Sequence, residues 1–238
     1  NLNQDGSKMS KRDQGALIHE YVEAGFLPEA VNNYMALLGW SSKDDQEIFR
    51  TEELVERFDL GGINRANSKF DYEKCLWVNG EHLRLLAPDI LAKAAAPFFE
   101  KAGIDPGDPR LATALDLARE RAQRLSDMPA LVKSAFVTDI DYAPAAVEKV
   151  AGRDGIAEVL DALKSALQEV DDWSEKVIKD AIKSAADSLG QKMGAFMLPC
   201  RVATMGDTSG PDLVPMMVMM GRDLVVKRIG EFAERIGS

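Results

Sequence analysis

The residues with the clearest chemical potential stand at the start of the chain: Asp5-Gly6-Ser7-Lys8-Met9-Ser10-Lys11-Arg12. Asp-Gly is a turn signal, and three cations with two hydroxyls follow it within six residues. Ammonium groups on such a loop suit a polyphosphate whose charge grows in a transition state, because they can close over it and stabilise that charge. The competing reading is a plain Ser/Lys-rich terminus, where disorder concentrates. Charge alone does not decide between them.

Composition narrows the class. The chain has 238 residues, 46% of them apolar, which suffices for one large domain or two small ones. Thirty-nine acidic against 29 basic residues give a net charge of −10, which excludes generic nucleic-acid binding and leaves room for a local basic face. Cys75 and Cys200 lie far apart and read as buried thiols in a reducing compartment, so a cytoplasmic location is expected. His19 and His82 offer no metal spacing with them. No apolar run is long enough to span a bilayer, and no membrane or DNA partner is expected.

The elements that must position these residues read as helices. Apolar residues fall at helical spacing over 13–24, where Asp13 can cap, and over 29–38, which Pro28 opens and Gly39 stops. Thr51 opens another helix and Phe70-Asp71 a fourth. Pro88 opens an Ala-rich helix through Phe99. The Gly/Pro/Asp stretch 103–109 reads as a linker. A helix is then expected from Leu111 to about Ser126, lined by Leu111, Leu115, Ala118, Ala122 and Leu125. A short extended piece follows at 136–142, then helices over 144–150, 155–167 and 174–189, and a closing helix after Gly221. No run of alternating strands is present, so the expected class is all-α.

Two basic groups sit on this frame. Arg119, Arg121 and Arg124 lie towards the end of the 111–126 helix, where cations also suit the helix dipole. Lys192 and Arg201 fall in Leu189–Thr204, a stretch without acids. Guanidinium groups can hydrogen-bond base edges in pairs and stack on exposed bases.

Several of these tracts together resemble one family. Lys8-Met9-Ser10-Lys11-Arg12 resembles the KMSKS loop of class I aminoacyl-tRNA synthetases, in the glutamyl-tRNA synthetase form. Gly25-Phe26-Leu27-Pro28-Glu29-Ala30 with Asn33-Tyr34 and Leu38-Gly39-Trp40 resembles that enzyme's GYLPEALLNYLARLGW segment. Asp45–Phe49 matches DQEIF, and 70–80 resembles FDLEKLDWLNG. Pro199, Arg201 and Ala203 match the family's G-K-L-x-x-P-L-R-x-A-L-T-G, with Cys200 in place of the usual Leu. The HIGH signature is absent, so the resemblance implies the C-terminal half of a longer enzyme.

The resemblance implies the following. Residues 1–15 end a catalytic domain, 16–100 form a helical stem-contact domain, and 101–238 form a helical anticodon-binding domain with a sub-boundary near 188. Lys8 and Lys11 are implied as catalytic, with Met9, Ser10 and Arg12 completing the ATP site. Arg119, Arg121, Arg124, Lys192 and Arg201 are implied as tRNA contacts, Arg201 foremost. The parent enzyme is expected to use ATP with Mg, bound mainly outside this stretch, and to charge tRNA-Glu with glutamate. Alone, this part is expected to be inactive. The reading from a different class is a non-catalytic, synthetase-derived helical module that binds tRNA or docks a protein.

Overall fold

The computed structural model describes residues 18–64 and 68–237. Thirteen α-helices and three short 3₁₀ turns carry these residues, and the only β-type pairing among them is one antiparallel bridge between Trp40 and Ile63. The all-α expectation holds.

The chain divides into two compact units. The first takes the described residues up to Asp108 and then Ala118–Pro129; the second takes Pro109–Leu117 and everything from Ala130. This differs from a single division near residue 101. The linker signals at 103–109 are real, but the chain returns to the first unit after crossing them.

The first unit is built from α1 (Ile18–Ala24), α2 (Pro28–Leu37), α3 (Thr51–Arg57), α4 (Tyr72–Leu85) and α5 (Pro88–Lys101). Helices α2 and α4 pack on each other around Tyr34, Val78 and Leu83, all buried. Asp71 caps α4 by accepting from Lys74 N, and its backbone exchanges two 2.7 Å hydrogen bonds with the Tyr34 hydroxyl.

Two buried amides join the pieces. Asn33 Oδ1 accepts from Phe49 N at 2.9 Å and from His82 Nε2 at 2.9 Å, while its Nδ2 donates to Glu47 O at 2.9 Å. Asn79 Oδ1 accepts from Leu27 N at 2.8 Å, and its Nδ2 donates to Gln123 O. A buried side-chain amide satisfied at both ends fixes backbone that no helix ladder reaches.

The second amide explains why the helix expected to reach Ser126 stops early. Helix α6 is Leu111–Arg119. Beyond it the backbone is claimed by the first unit: Asn79 takes Gln123 O, Leu125 N donates to Gly25 O at 2.9 Å, and Ser126 Oγ donates to Ala24 O at 2.6 Å. Ala122 and Leu125 are still buried, so the apolar pattern was right while the helix was not. Tertiary hydrogen bonds overrode a continuous apolar period.

His82 is buried, and burial pushes its pKa below the ordinary value, with Glu29 opposing. The unfolded imidazole therefore binds a proton more readily than the folded one. Stability is fully present above the unfolded pKa of about 6.5 and is lost as pH falls through it, levelling off below the folded value. Chemical denaturation at pH 7.5 and 5.5 is expected to show the first unit weaker at the lower pH. A His82→Gln variant is expected to lose that dependence, and an equal slope in both proteins would assign it elsewhere.

The second unit contains α7 (Met128–Val132), α8 (Pro144–Ala151), α9 (Ile156–Gln168), α10 (Glu175–Ser188), α11 (Met193–Met205), α12 (Leu213–Met220) and α13 (Arg222–Gly237), together with residues 109–117, which include most of α6; α7 starts in the first unit. Helix α9 packs against both α10 and α13, and α11 packs against α8, α9, α10 and α13. Buried Leu160, Leu163, Ile178, Ile182, Phe196 and Phe232 fill this core. The apolar run 213–220 is α12, with Leu213, Val214, Met216, Met217 and Met220 buried. The residues 136–142 form no strand and pass irregularly to α8.

Candidate nucleic-acid interface

Helix α11 is the element on which Arg201 stands, and its interior contains Pro199. Proline has no N–H to give, so the carbonyl four residues earlier loses its helical partner. That carbonyl is Ala195 O, and Arg153 Nη1 supplies the missing donor at 3.2 Å. Thr204 Oγ1 bonds back to Cys200 O at 2.7 Å within the helix. Cys200 is fully buried, and burial pushes its thiol up to about 12, so it is not a nucleophile.

Helix α11 ends at Gly206, which has φ +82° and whose N–H closes on Val202 O at 2.9 Å. A Cβ there would lie 2.2 Å from Asp141 O. Only glycine allows the 141–143 backbone to come this close, and Ala143 N uses the approach to donate to Gly206 O at 2.9 Å. Tyr142 adds its hydroxyl to Ala203 O at 3.1 Å and stacks on Phe232. The turn that follows is shaped by Asp207, whose carboxylate accepts from Thr208 N and Ser209 N.

Arg201 is half-buried beside this turn. Its Nη1 donates to Pro211 O at 2.8 Å and lies 3.6 Å from Met205 Sδ. The guanidinium plane is thus fixed from the turn side. A fixed fork loses less entropy when it meets a base edge than a swinging one does.

Of the other expected contacts, Lys192 shares its helix but not its face. Lys192 is the exposed N-cap of α11, nine residues before Arg201. At about 1.5 Å per residue and 100° per residue, that is roughly 13 Å away and on the opposite side of the helix. Arg119, Arg121 and Arg124 belong to the first unit. Arg119 Nη1 donates to Leu86 O at 3.2 Å. Arg121 is exposed, and its N–H closes the end of α6 on Ala118 O. Arg124 is held by Asp127 through Nε at 3.2 Å and Nη2 at 2.8 Å, and this pairing raises its pKa further. Asp127 in return accepts from Arg124 N, so the pair is also a local cap. Lys8, Met9, Ser10, Lys11 and Arg12 lie outside the described residues.

Sequence reasoning missed three arginines. Arg153 compensates Pro199. Arg110 donates to Ala135 O at 2.6 Å and covers the Phe136 ring at 4.7 Å. Arg228 is 1% exposed, with Nη1 on Thr204 O at 2.8 Å and Nη2 on Val137 O at 2.7 Å. Its signal was legible: on the closing helix it falls in the same stripe as Val225, Ile229 and Phe232, all buried. Burial lowers its pKa, although the carbonyl end of α11, where Thr204 O lies, is the negative end of that helix dipole.

No group of His, Cys, Asp and Glu among the described residues could hold a metal ion. No helix among them is long and apolar enough to cross a membrane.

Residues 90–233 match the family model described as an anticodon binding domain, and residues 1–77 match that of the catalytic domain of class I tRNA synthetases (E and Q). A glutamate--tRNA ligase of Akkermansia muciniphila is 43% identical over 232 residues, covering 98% of this chain and 52% of that protein. One from Methylacidiphilum infernorum is 36% identical over 231 residues, covering 96% and 52%. The chain spans about half the length of the curated relatives it matches. A crystal structure of a glutamate tRNA ligase from Elizabethkingia meningosepticum, in complex with its amino acid, superposes with a TM-score of 0.80 at 29% identity, covering 91% of this chain and 43% of that one.

Proposed function

Because the chain belongs to the glutamate--tRNA ligase family, we propose that it is the tRNA-binding portion of an enzyme that activates glutamate with ATP and passes it to tRNA-Glu. The observation that carries this reading is the match of residues 90–233 to the anticodon binding domain, which contains Arg201 on its fixed turn. Residues 16–100 serve as the stem-contact part and 101–238 as the anticodon reader. The whole enzyme works in the cytoplasm.

In this reading the Arg201 guanidinium offers paired N–H donors to a base edge of the anticodon. Such a pair discriminates by about 1–3 kcal/mol against the wrong base. Lys192, Arg119 and Arg121 add phosphate or stacking contacts. Arg124 contributes less than its charge suggests, because Asp127 already occupies the Nε–Nη2 edge of its guanidinium. On the catalytic side, Lys8 and Lys11 place ammonium groups on the ATP phosphates as their charge grows, and Met9, Ser10 and Arg12 shape that loop. ATP, accompanied by Mg, supplies the leaving group that makes glutamate reactive; the rest of that pocket belongs to the other half of the family's length.

Binding of this chain to tRNA-Glu, and to the same tRNA with altered anticodon bases, tests the reading. Measured at two salt concentrations, it separates base contacts from phosphate contacts, since the latter weaken steeply with salt. Anticodon changes are expected to weaken binding on the order of tenfold, and Arg201→Ala to remove that preference. Equal, salt-sensitive binding to every tRNA would overturn the anticodon assignment.

A further inference from the structure

Arg228 is the only arginine or lysine in the core among the described residues. It forms no ion pair with any described residue, and its Nε has no hydrogen-bond partner among them. A buried cation held this way is a poor device for stability, since well-packed apolar residues of similar volume often do as well or better. What the guanidinium provides instead is geometry. It reaches two carbonyls from separate segments, Thr204 O in the last turn of α11 and Val137 O in the irregular 136–142 stretch. Its Nη1 also lies 3.5 Å from Met220 Sδ at the end of α12.

The end of α11 is held by groups from outside the helix at two carbonyls of its last turn and at that of its cap residue. Ala203 O takes the Tyr142 hydroxyl, Thr204 O takes Arg228, and Gly206 O takes Ala143 N. This turn lies between Arg201 and the 207–212 turn whose Pro211 O receives Arg201 Nη1. A helix end normally frays, because its final carbonyls have no helical partner. Here fraying would move the Pro211 carbonyl relative to the Arg201 Cα and release the guanidinium.

We propose that Arg228 is a positioning residue for Arg201: from the core it clamps the end of α11, so that the Arg201 fork is presented to the anticodon in one orientation. The proposal rests on the reading of Arg201 as an anticodon contact.

The test uses the chain with Arg228→Met, Arg228→Lys and Arg201→Ala, each bound to tRNA-Glu and to tRNA-Glu with altered anticodon bases. Arg228→Met is expected to lose most of a roughly tenfold anticodon preference, approaching Arg201→Ala, while binding to the altered tRNA stays within about twofold. Arg228→Lys, which can still donate to a carbonyl, is expected to recover part of it. Hydrogen exchange supplies a readout without tRNA: amides of 204–212 are expected to exchange faster in Arg228→Met, with α9 and α10 unchanged. If Arg228→Met does not fold, Tyr142→Phe removes the neighbouring clamp on Ala203 O and is expected to shift both readouts the same way, less far. Full anticodon preference in folded Arg228→Met, or in Tyr142→Phe where only that folds, with preference lost in Arg201→Ala, overturns the proposal and leaves the reading of Arg201 standing. No preference in the unaltered chain overturns the reading and the proposal with it.

Discussion

Gly206→Ala is expected to destabilise the second unit by about 3 kcal/mol or more. Two effects add. The residue holds φ +82°, which costs an L side chain about 1 kcal/mol or more. The new methyl would also stand 2.2 Å from Asp141 O, which is backbone and has no rotamer to escape into. Either α11 or the 141–143 stretch must move, and the hydrogen bond from Ala143 N to Gly206 O goes with it. Gly190→Ala is the matched control: its φ is +64° and a Cβ would meet nothing within 4 Å. Denaturant unfolding of the two variants should therefore separate by about 2 kcal/mol, the part due to the close approach. Equal midpoints would show that the end of α11 gives way at little cost.

Asn33→Ala is expected to cost the first unit about 2–4 kcal/mol. The amide is fully buried and satisfies Phe49 N, Glu47 O and His82 together. Truncation leaves buried donors and an acceptor unmatched, which costs more than the loss of one surface hydrogen bond. Phe49, 1% exposed and edge-on to Trp40, loses the bond that fixes its backbone. The measurement is the urea midpoint with its slope: a shift at constant slope assigns the loss to native packing. A change under 1 kcal/mol would mean that water or a shifted His82 replaces the amide.

These two residues also show where sequence reading stops. Asn33 stood in a stretch that matched the family's order and Gly206 just beyond another, yet neither type nor spacing revealed the partner across the fold. Periodicity located the helices well where burial on one face sufficed, as in α9, α10 and α13, because apolar side chains report their own burial. It overran at 120–126, where backbone groups are taken by Gly25, Ala24 and Asn79. Nothing in a residue's type announces that a distant amide will claim its carbonyl. The cations were hardest. Arg124 and Arg201 look alike in sequence, but one is closed on Asp127 and the other is braced by Pro211 O. Arg228 was the exception that the apolar stripe could have exposed.

The path of the chain between the units bears on how the protein can be cut. Because 109–117 belongs with the second unit and 118–129 with the first, no single peptide bond separates them. A clone opened at 130 would discard Leu111, Ala114 and Leu115, all buried, and would strip Arg110 from Phe136. One closed at 108 would lose the strap that ties Gly25 and Asn79 together. Moving the second unit into another protein would therefore need 109–117 carried along and 118–129 replaced by a linker. Protease nicking between the two segments would leave both halves incomplete rather than release an intact domain.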